Sequence, residues 1–233
     1  MHEPSKPGGQ LIVFDLDGTL VDTFDDIAAA ANHALAALGR STLDPALVKS
    51  YVGGGGRKLM HRCLGGGDDA PEDLIDRAFE SWRAYYLDHP VDFSRPYDGV
   101  AETLAQLRRM DGLSLAVLSN KADDLVQEIL KRLGLAQWFD AIQGEAPSLP
   151  KKPDPALLRQ LMTRFGASAD TTLMVGDGEP DMDLARNAGV AAVGVGYGLL
   201  APRRLRELGA TRVVDEFPGL VAVVADWRAG RSA

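Results

Sequence analysis

The sequence predicts an α/β protein in which helices cover both faces of a parallel sheet and an all-helical segment follows the first strand. From residue 96 onward, short apolar runs alternate with helical patterns, which is typical of a parallel sheet. Between residues 23 and 95 only helical patterns occur, interrupted by two glycine runs. We therefore expect a sheet domain of residues 1–22 and 96–233 and a helical cap domain of residues 23–95.

The first strand candidate is residues 11–14, a short apolar run rich in branched side chains. Asp15 ends the run, and Asp17, Gly18 and Thr19 follow, so two carboxylates, a turn and a hydroxyl meet where open α/β sheets bind ligands. An Asp in this place is often only a turn former or a helix cap. Two like charges this close, however, repel each other unless a cation or a proton compensates them. The pattern therefore favours a divalent metal.

The remaining elements follow from residue patterns and turn signals. The first helical pattern is rich in Ala and stops at Gly39, and glycine runs at residues 53–56 and 65–67 separate the next ones. The later apolar runs are short, as in buried strands. We predict helices at residues 24–38, 46–51, 56–64, 71–87, 99–110, 122–133, 155–165, 181–188, 202–208 and 220–227, and strands at 113–118, 141–143, 172–175, 191–195 and 212–214.

Two polar stretches follow later strands of the predicted sheet. Ser119 and Asn120 come directly after the strand at residues 113–118, and a hydroxyl with backbone amides at a helix start is an anion site. Ser119 could equally be a simple helix cap. Lys151 and Lys152 precede a turn bounded by prolines, where an ammonium can balance acid and phosphate charge, although paired loop lysines are ordinarily solvated surface.

A second acidic pair follows the strand at residues 172–175. Asp177 lies just beyond the strand, and Asp181 begins the next helix, where the helix dipole favours a negative charge. Either residue could be only a cap. With Asp15 and Asp17, these acids would form a set of oxygen ligands that suits a hard cation with bound waters, and Mg²⁺ is the expected ion.

Together, DLDGT at residues 15–19, SN at 119–120, KPDP at 152–155 and GDGEPD at 176–181 resemble the motifs of the haloacid dehalogenase-like (HAD) hydrolases. More narrowly, the chain resembles the phosphoglycolate phosphatase branch with its helical cap. The motifs occur in the expected order and, with the first strand, span residues 11–189. The resemblance implies a Rossmann-like core with an inserted helical cap, placed as a lid that excludes water.

The resemblance also implies roles for the acidic residues. Asp15 would attack the phosphorus of a phosphate monoester and form an aspartyl-phosphate, while Asp17 would serve as general acid and then general base. The metal ligands would be the Asp15 carboxylate, the backbone carbonyl of Asp17 and the Asp177 carboxylate. Asp181 would support the metal's surroundings or the lysine.

Further residues are implied to bind the substrate. Ser119, assisted by Asn120, and Lys152, aligned by the pattern K-P-x-P, would hold the phosphoryl group, and Thr19 is a further candidate near it. Residues 53–58 could bring Gly54 amides and the Arg57 cation to a small anionic leaving group, or could be only a connector and helix cap.

Two departures and several alternatives accompany this interpretation. The family commonly has a small hydroxyl residue and an asparagine where this chain has Gly178 and Pro180. The predicted function is a Mg²⁺-dependent phosphatase of a small metabolite, foremost 2-phosphoglycolate. Alternatives are a phosphosugar phosphatase, a phosphoryl transferase similar to β-phosphoglucomutase, or a catalytically silent binding protein on the same scaffold. A dehalogenase is disfavoured because dehalogenation does not require the acid/base that Asp17 supplies.

The net charge, the cysteine count and the N-terminal residues limit which binding partners and which cellular compartment we expect. The net charge of −8 provides no basic footprint for nucleic acid or for an anionic membrane. Cys63 cannot form an internal disulfide, because it is the one cysteine of the chain. The first ten residues lack the apolar core of a signal peptide. We expect a cytoplasmic monomer or homodimer with short disordered ends, whose partner is a small-molecule phosphate monoester.

Overall fold

A computed structural model describes residues 9–66, 70–147 and 149–230. Most of the predicted disordered ends, residues 1–8 and 231–233, and Gly67 of the second glycine run lie outside the described residues. In chain order, the strands are β1 (Gln10–Phe14), β2 (Val21–Asp22), β3 (Arg95–Pro96), β4 (Leu113–Ala122), β5 (Ala141–Glu145), β6 (Thr172–Gly176), β7 (Ala191–Val195) and β8 (Arg212–Val214). The helices are α1 (Phe24–Ala37), α2 (Pro45–Ser50), α3 (Gly56–Cys63), α4 (Glu72–Asp88), α5 (Val100–Leu107), α6 (Asp123–Arg132), α7 (Ala156–Phe165), α8 (Glu179–Ala188), α9 (Pro202–Glu207) and α10 (Leu220–Arg228).

A six-stranded sheet with the order β5-β4-β1-β6-β7-β8 forms the centre of the molecule. Every neighbouring pair in it is parallel. The predicted Rossmann-like α/β sheet is therefore confirmed. Because the chain continues to β4 on one side of β1 and to β6 on the other, a crevice opens beyond the carboxyl end of β1.

Strand β1 is buried on both faces. Ile12 and Phe14 pack in the core cluster that contains side chains of α5, α6 and α10, whereas Leu11 and Val13 pack in the cluster that contains side chains of α7, α8 and α9. Successive side chains of a strand point to opposite faces, so an uninterrupted apolar run is what a strand covered on both sides requires. The apolar run ends where the strand leaves the core, so Asp15, the next residue, lies at the crevice.

Helices α1 to α4, called here the helical insert, lie between two short strands that sequence reasoning missed. Strands β2 and β3 pair antiparallel, with Val21 opposite Pro96 and Asp22 opposite Arg95. Asp26 of α1 binds the segment that leads from the insert back to the sheet. Its carboxylate accepts hydrogen bonds from Ser94 N (2.7 Å) and Ser94 Oγ (2.5 Å). The two connections between the sheet and the insert thus run side by side.

Most predicted elements lie within a few residues of their observed bounds, with one difference that matters for the site. Strand β4 continues to Ala122 instead of ending at residue 118, so Ser119, Asn120 and Lys121 belong to the strand and are all buried. Helix α8 begins at Glu179, which places Pro180 in its first turn, as its missing N–H allows. Among the described residues, no helix is both long and apolar enough to cross a membrane.

Candidate active site

One pocket at the carboxyl ends of the central strands gathers most of the residues singled out from the sequence. Its floor comes from the ends of β1, β4 and β6 and from the loop after β5, and the helical insert forms its roof. The pocket is small, with a cavity volume of about 50 Å³. The predicted site residues that line it are Asp15, Asp17, Ser119, Asn120, Lys152, Asp177 and Asp181.

Three carboxylates and one lysine form the centre of this pocket. Asp15, Asp177 and Asp181 each offer an oxygen atom, and these atoms lie within 4.8 Å of one another. Lys152 Nζ lies 2.8 Å from Asp15 Oδ1 and 2.7 Å from Asp181 Oδ1. Lys152 is almost completely buried, so its ammonium is fixed between the two acids.

This concentration of buried acids changes their proton affinity. Burial raises the pKa of Asp15 to about 7; Lys152 opposes the rise, and the charges of Asp181 and Asp17 add to it. Burial, followed by repulsion from Asp181 and Asp15, also raises the pKa of Asp177 well above its ordinary value. Burial disfavours the charged form of Lys152, but Asp15 and Asp181 outweigh it and raise its pKa. The single positive charge of Lys152 therefore does not balance the negative charges that the three carboxylates can carry.

The backbone around Asp177 is built to hold its carboxylate in the cluster. Leu199 N donates to Asp177 Oδ2 (2.7 Å) and Thr19 Oγ1 donates to Oδ1 (3.1 Å). Gly18 has a φ of +78°, and a β-carbon there would collide with the Asp177 carboxylate, as would one at Gly198. These glycines give the Asp177 carboxylate room to lie in the cluster, and the resulting set of carboxylate oxygens fits a hard divalent cation.

Asp17 points away from the three-carboxylate cluster. Its Oδ1 accepts a hydrogen bond from Thr23 Oγ1 (2.5 Å) and lies 2.8 Å from Lys121 Nζ. The side chain is thus held at the side of the pocket near the insert.

Ser119 and Asn120 are buried beside Lys152. The Asn120 side chain donates to the Lys152 carbonyl (3.0 Å) and accepts from Lys152 N (2.8 Å), which fixes the loop that carries the lysine. Asn120 Nδ2 also lies 3.3 Å from the Gly53 carbonyl of the insert. Asn120 therefore links the sheet, the lysine loop and the insert.

Lys121 is a pocket residue to which sequence reasoning assigned no role. It is 5% exposed, and its ammonium lies next to Asp17 and 4.7 Å from the centre of the Tyr86 ring. The stretch Ser119-Asn120-Lys121 offered a weak signal, because a lysine three residues beyond the predicted end of a buried strand is normally solvated. In the structure β4 continues through Lys121, and Asp17 and Tyr86 contact its ammonium.

Gly54 and Arg57 are not brought to the carboxylates. They line a wider outer groove, whereas the neighbouring Gly53, Gly55 and Gly56 line the pocket. Arg57 forms exposed ion pairs with Glu72 and, at 2.8 Å, with Asp76. The predicted contacts of Gly54 and Arg57 with a leaving group would therefore have to be made from the outer side of the insert loop.

Comparison with known proteins identifies the family. Residues 12–195 match a family whose description is haloacid dehalogenase-like hydrolase. The chain belongs to this family. This HAD hydrolase is 43% identical over 206 residues to the phosphoglycolate phosphatase of Neisseria meningitidis, an alignment that covers 87% of each chain. It is 36% identical over 219 residues to the phosphoglycolate phosphatase of Mesorhizobium japonicum, which covers 93% of this chain and 95% of that one.

Solved structures agree with the sequence relatives. A crystal structure from Haemophilus somnus, described as a predicted phosphoglycolate phosphatase, superposes on this HAD hydrolase with a TM-score of 0.83 at 32% identity. The match covers 93% of this chain and 98% of that one. The predicted family, its phosphoglycolate phosphatase branch and the hydrolase class are confirmed.

Proposed function

We propose that the protein is a Mg²⁺-dependent phosphatase that hydrolyses 2-phosphoglycolate to glycolate and phosphate through an aspartyl-phosphate intermediate. One observation carries this proposal: residues from three strand ends and from the loop after β5, among them Asp15, Ser119, Lys152 and Asp177, line a single small pocket. The names of the relatives support the substrate.

In the first half of the reaction, a carboxylate oxygen of Asp15 attacks phosphorus in line with the leaving oxygen. The bond from phosphorus to that oxygen breaks, and Asp17 donates a proton to the departing alkoxide. In the second half, Asp17 takes a proton from the water that attacks the phosphorus, and phosphate leaves Asp15. Ser119, assisted by the backbone amide of Asn120, and Lys152 hold the phosphoryl oxygens throughout.

The carboxylates of Asp15 and Asp177 and the carbonyl of Asp17 would hold the metal. A bound Mg²⁺ supplies charge that offsets the repulsion among the acids and stabilises the phosphoryl group. Asp181 accepts a hydrogen bond from Gly178 N (3.1 Å) and contacts Lys152, so we assign it the positioning of the lysine. Thr19 would act through Asp177, which it contacts.

We assign residues 23–95 to a cap domain that acts as a lid, and residues 1–22 and 96–233 to the core. The insert forms the roof of the pocket with Ile27, Leu59 and Trp82, which exclude water from the reacting groups. Movement between the two units would occur at the paired connections β2 and β3, with Asp26 as their tether.

We further propose a cytoplasmic enzyme, a monomer or homodimer, with no nucleic-acid or membrane partner. Cys63 is buried and free, so the fold needs no oxidising compartment. Cell fractionation and light scattering on the purified protein test the compartment and the oligomeric state.

The test of the function is a panel of phosphate monoesters assayed for phosphate release with Mg²⁺. The panel contains 2-phosphoglycolate, hexose phosphates, amino-sugar phosphates and nucleotides, and we expect the highest kcat/KM for 2-phosphoglycolate. EDTA should abolish turnover and Mg²⁺ should restore it. A higher kcat/KM for a hexose phosphate, or isomerisation without phosphate release, would contradict the substrate. Absence of turnover with every ester would contradict the enzyme itself.

A further inference from the structure

The pocket holds a second buried lysine that the proposed reaction does not use. Lys121 lies at the end of β4, is 5% exposed and has its ammonium 2.8 Å from Asp17 Oδ1. We propose that Lys121 determines specificity by binding an anionic group on the leaving alcohol, namely the carboxylate of 2-phosphoglycolate. This inference rests on the proposed function and names the residue that recognises the substrate.

Lys121 contacts Asp17, the proposed general acid, and this contact places it near the leaving group. A general acid must come within hydrogen-bond distance of the oxygen it protonates. A cation in contact with Asp17 therefore lies beside the carbon atoms attached to that oxygen. In 2-phosphoglycolate the carboxylate carbon is two bonds from the leaving oxygen, so its charge would fall next to the Lys121 ammonium.

The two cations that line the described pocket lie in different parts of it. Among the described residues that line the pocket, the cations are Lys121 and Lys152. Lys152 lies between Asp15 and Asp181, on the side of the phosphoryl group. The insert contributes apolar side chains and glycines to the lining, so Lys121 is the cation on the leaving-group side.

The surroundings of Lys121 leave it able to bind a second anion. An ammonium has three N–H donors, and the contact with Asp17 uses one of them. The fully buried ring of Tyr86, on α4 of the insert, lies 4.7 Å from the ammonium and stabilises its charge through its π face. Because Tyr86 belongs to the insert, the complete carboxylate-binding subsite forms only when the insert packs against the sheet.

The experiment compares two esters of similar size in the unmodified protein and three variants. The esters are 2-phosphoglycolate and 2-hydroxyethyl phosphate, in which a neutral CH₂OH group replaces the carboxylate. The measured quantity is the ratio of their kcat/KM values. In Lys121→Met we expect the ratio to fall about 10- to 100-fold, the range for loss of a charged hydrogen bond. Lys121→Arg keeps the charge and should keep most of the preference, and Arg57→Met, which removes an exposed cation, should leave the ratio unchanged.

The ratio separates recognition from a merely structural role. If Lys121 only orients Asp17 or supports the fold, Lys121→Met will reduce both kcat/KM values by the same factor, and the proposal is overturned. A fall of the ratio in Arg57→Met with none in Lys121→Met would assign the carboxylate to the insert loop and also overturn it. Should Lys121→Met fail to fold, Lys121→Gln, which keeps a polar group, serves in its place.

Binding measurements keep this test independent of the proposed function. Calorimetry with Mg²⁺ in the Asp15→Asn background, which lacks the nucleophile and so leaves the esters intact, should show that 2-phosphoglycolate binds more tightly than 2-hydroxyethyl phosphate does, and that adding Lys121→Met removes the difference. If neither ester is hydrolysed but this difference is present, the proposed function fails and the subsite stands. If both esters are hydrolysed but no difference in binding or in kcat/KM exists, the subsite fails and the phosphatase stands.

Discussion

The pKa of Asp15 leads to a prediction about the stability of the metal-free protein. The folded chain raises the pKa of this acid from 3.8 to about 7, chiefly by burial. The difference corresponds to a free energy of about 4 kcal/mol. A raised pKa means that the folded state holds the proton more tightly than the unfolded state. The corresponding stability is fully present below pH 3.8, declines as the pH rises and is lost above pH 7.

The perturbation is Asp15→Asn, which keeps the shape of the side chain and removes its titration. Relative to this variant, the unmodified protein should lose about 2 to 3 kcal/mol of unfolding free energy between pH 5 and pH 8. For a chain of this size, that loss is about 5 to 10 °C in Tm. Repulsion between Asp15 and Asp177 acts in the same direction, because both acids become charged as the pH rises.

The assay is urea unfolding of both proteins in EDTA at pH 5 and at pH 8. The exposed Asp170→Asn serves as the matched control, for which we expect a change below about 0.5 kcal/mol between the two pH values. Adding Mg²⁺ at pH 8 should stabilise the unmodified protein more than Asp15→Asn. If the two proteins show an equal pH dependence, burial and repulsion do not destabilise the charged form of Asp15 in the folded state, and the prediction is wrong.

Three further predictions concern Gly18, Asp17 and Asp26. Gly18→Ala should weaken Mg²⁺ binding at least tenfold by calorimetry, because the new β-carbon displaces Asp177; unchanged affinity would exclude Gly18 from the metal site. Asp17→Asn should slow hydrolysis of 2-phosphoglycolate by about 10² to 10⁴ with Mg²⁺ affinity retained, and a kcat near that of the unmodified protein would remove its acid/base role. Asp26→Ala should lower the unfolding free energy by about 3 kcal/mol in urea, because Ser94 N and Oγ lose a buried carboxylate; a loss below about 1 kcal/mol would show that the tether is not needed.

The sheet and the acidic centre were predictable because their signals are local. An apolar run that stops at an acid predicts both a buried strand and a carboxylate at its end, and this happens at Asp15 and again at Asp177. Parallel strands then bring such ends to one edge, whatever their separation in the chain. The order of the motifs supplied the family, and the comparisons confirm it.

The missed features depend on contacts between distant residues. Strands β2 and β3 have two residues each, too few to show a period, and they form because the insert returns the chain to its starting point. Lys121 is buried by Tyr86 and Asp17, which lie 35 and 104 positions before it, so its local sequence shows only a lysine after a strand. Arg57 has the charge expected of a substrate contact, but Glu72 and Asp76 hold it on the outer side of the insert.

In the proposed reaction Asp15 is the group that becomes phosphorylated. Rapid acid quench during turnover of 2-phosphoglycolate with Mg²⁺, followed by borohydride reduction, converts an aspartyl-phosphate to homoserine, which peptide mass spectrometry locates. We expect homoserine at position 15 in the unmodified protein and none in Asp15→Asn. Turnover that leaves Asp15 unmodified while another side chain carries the phosphoryl group would contradict it.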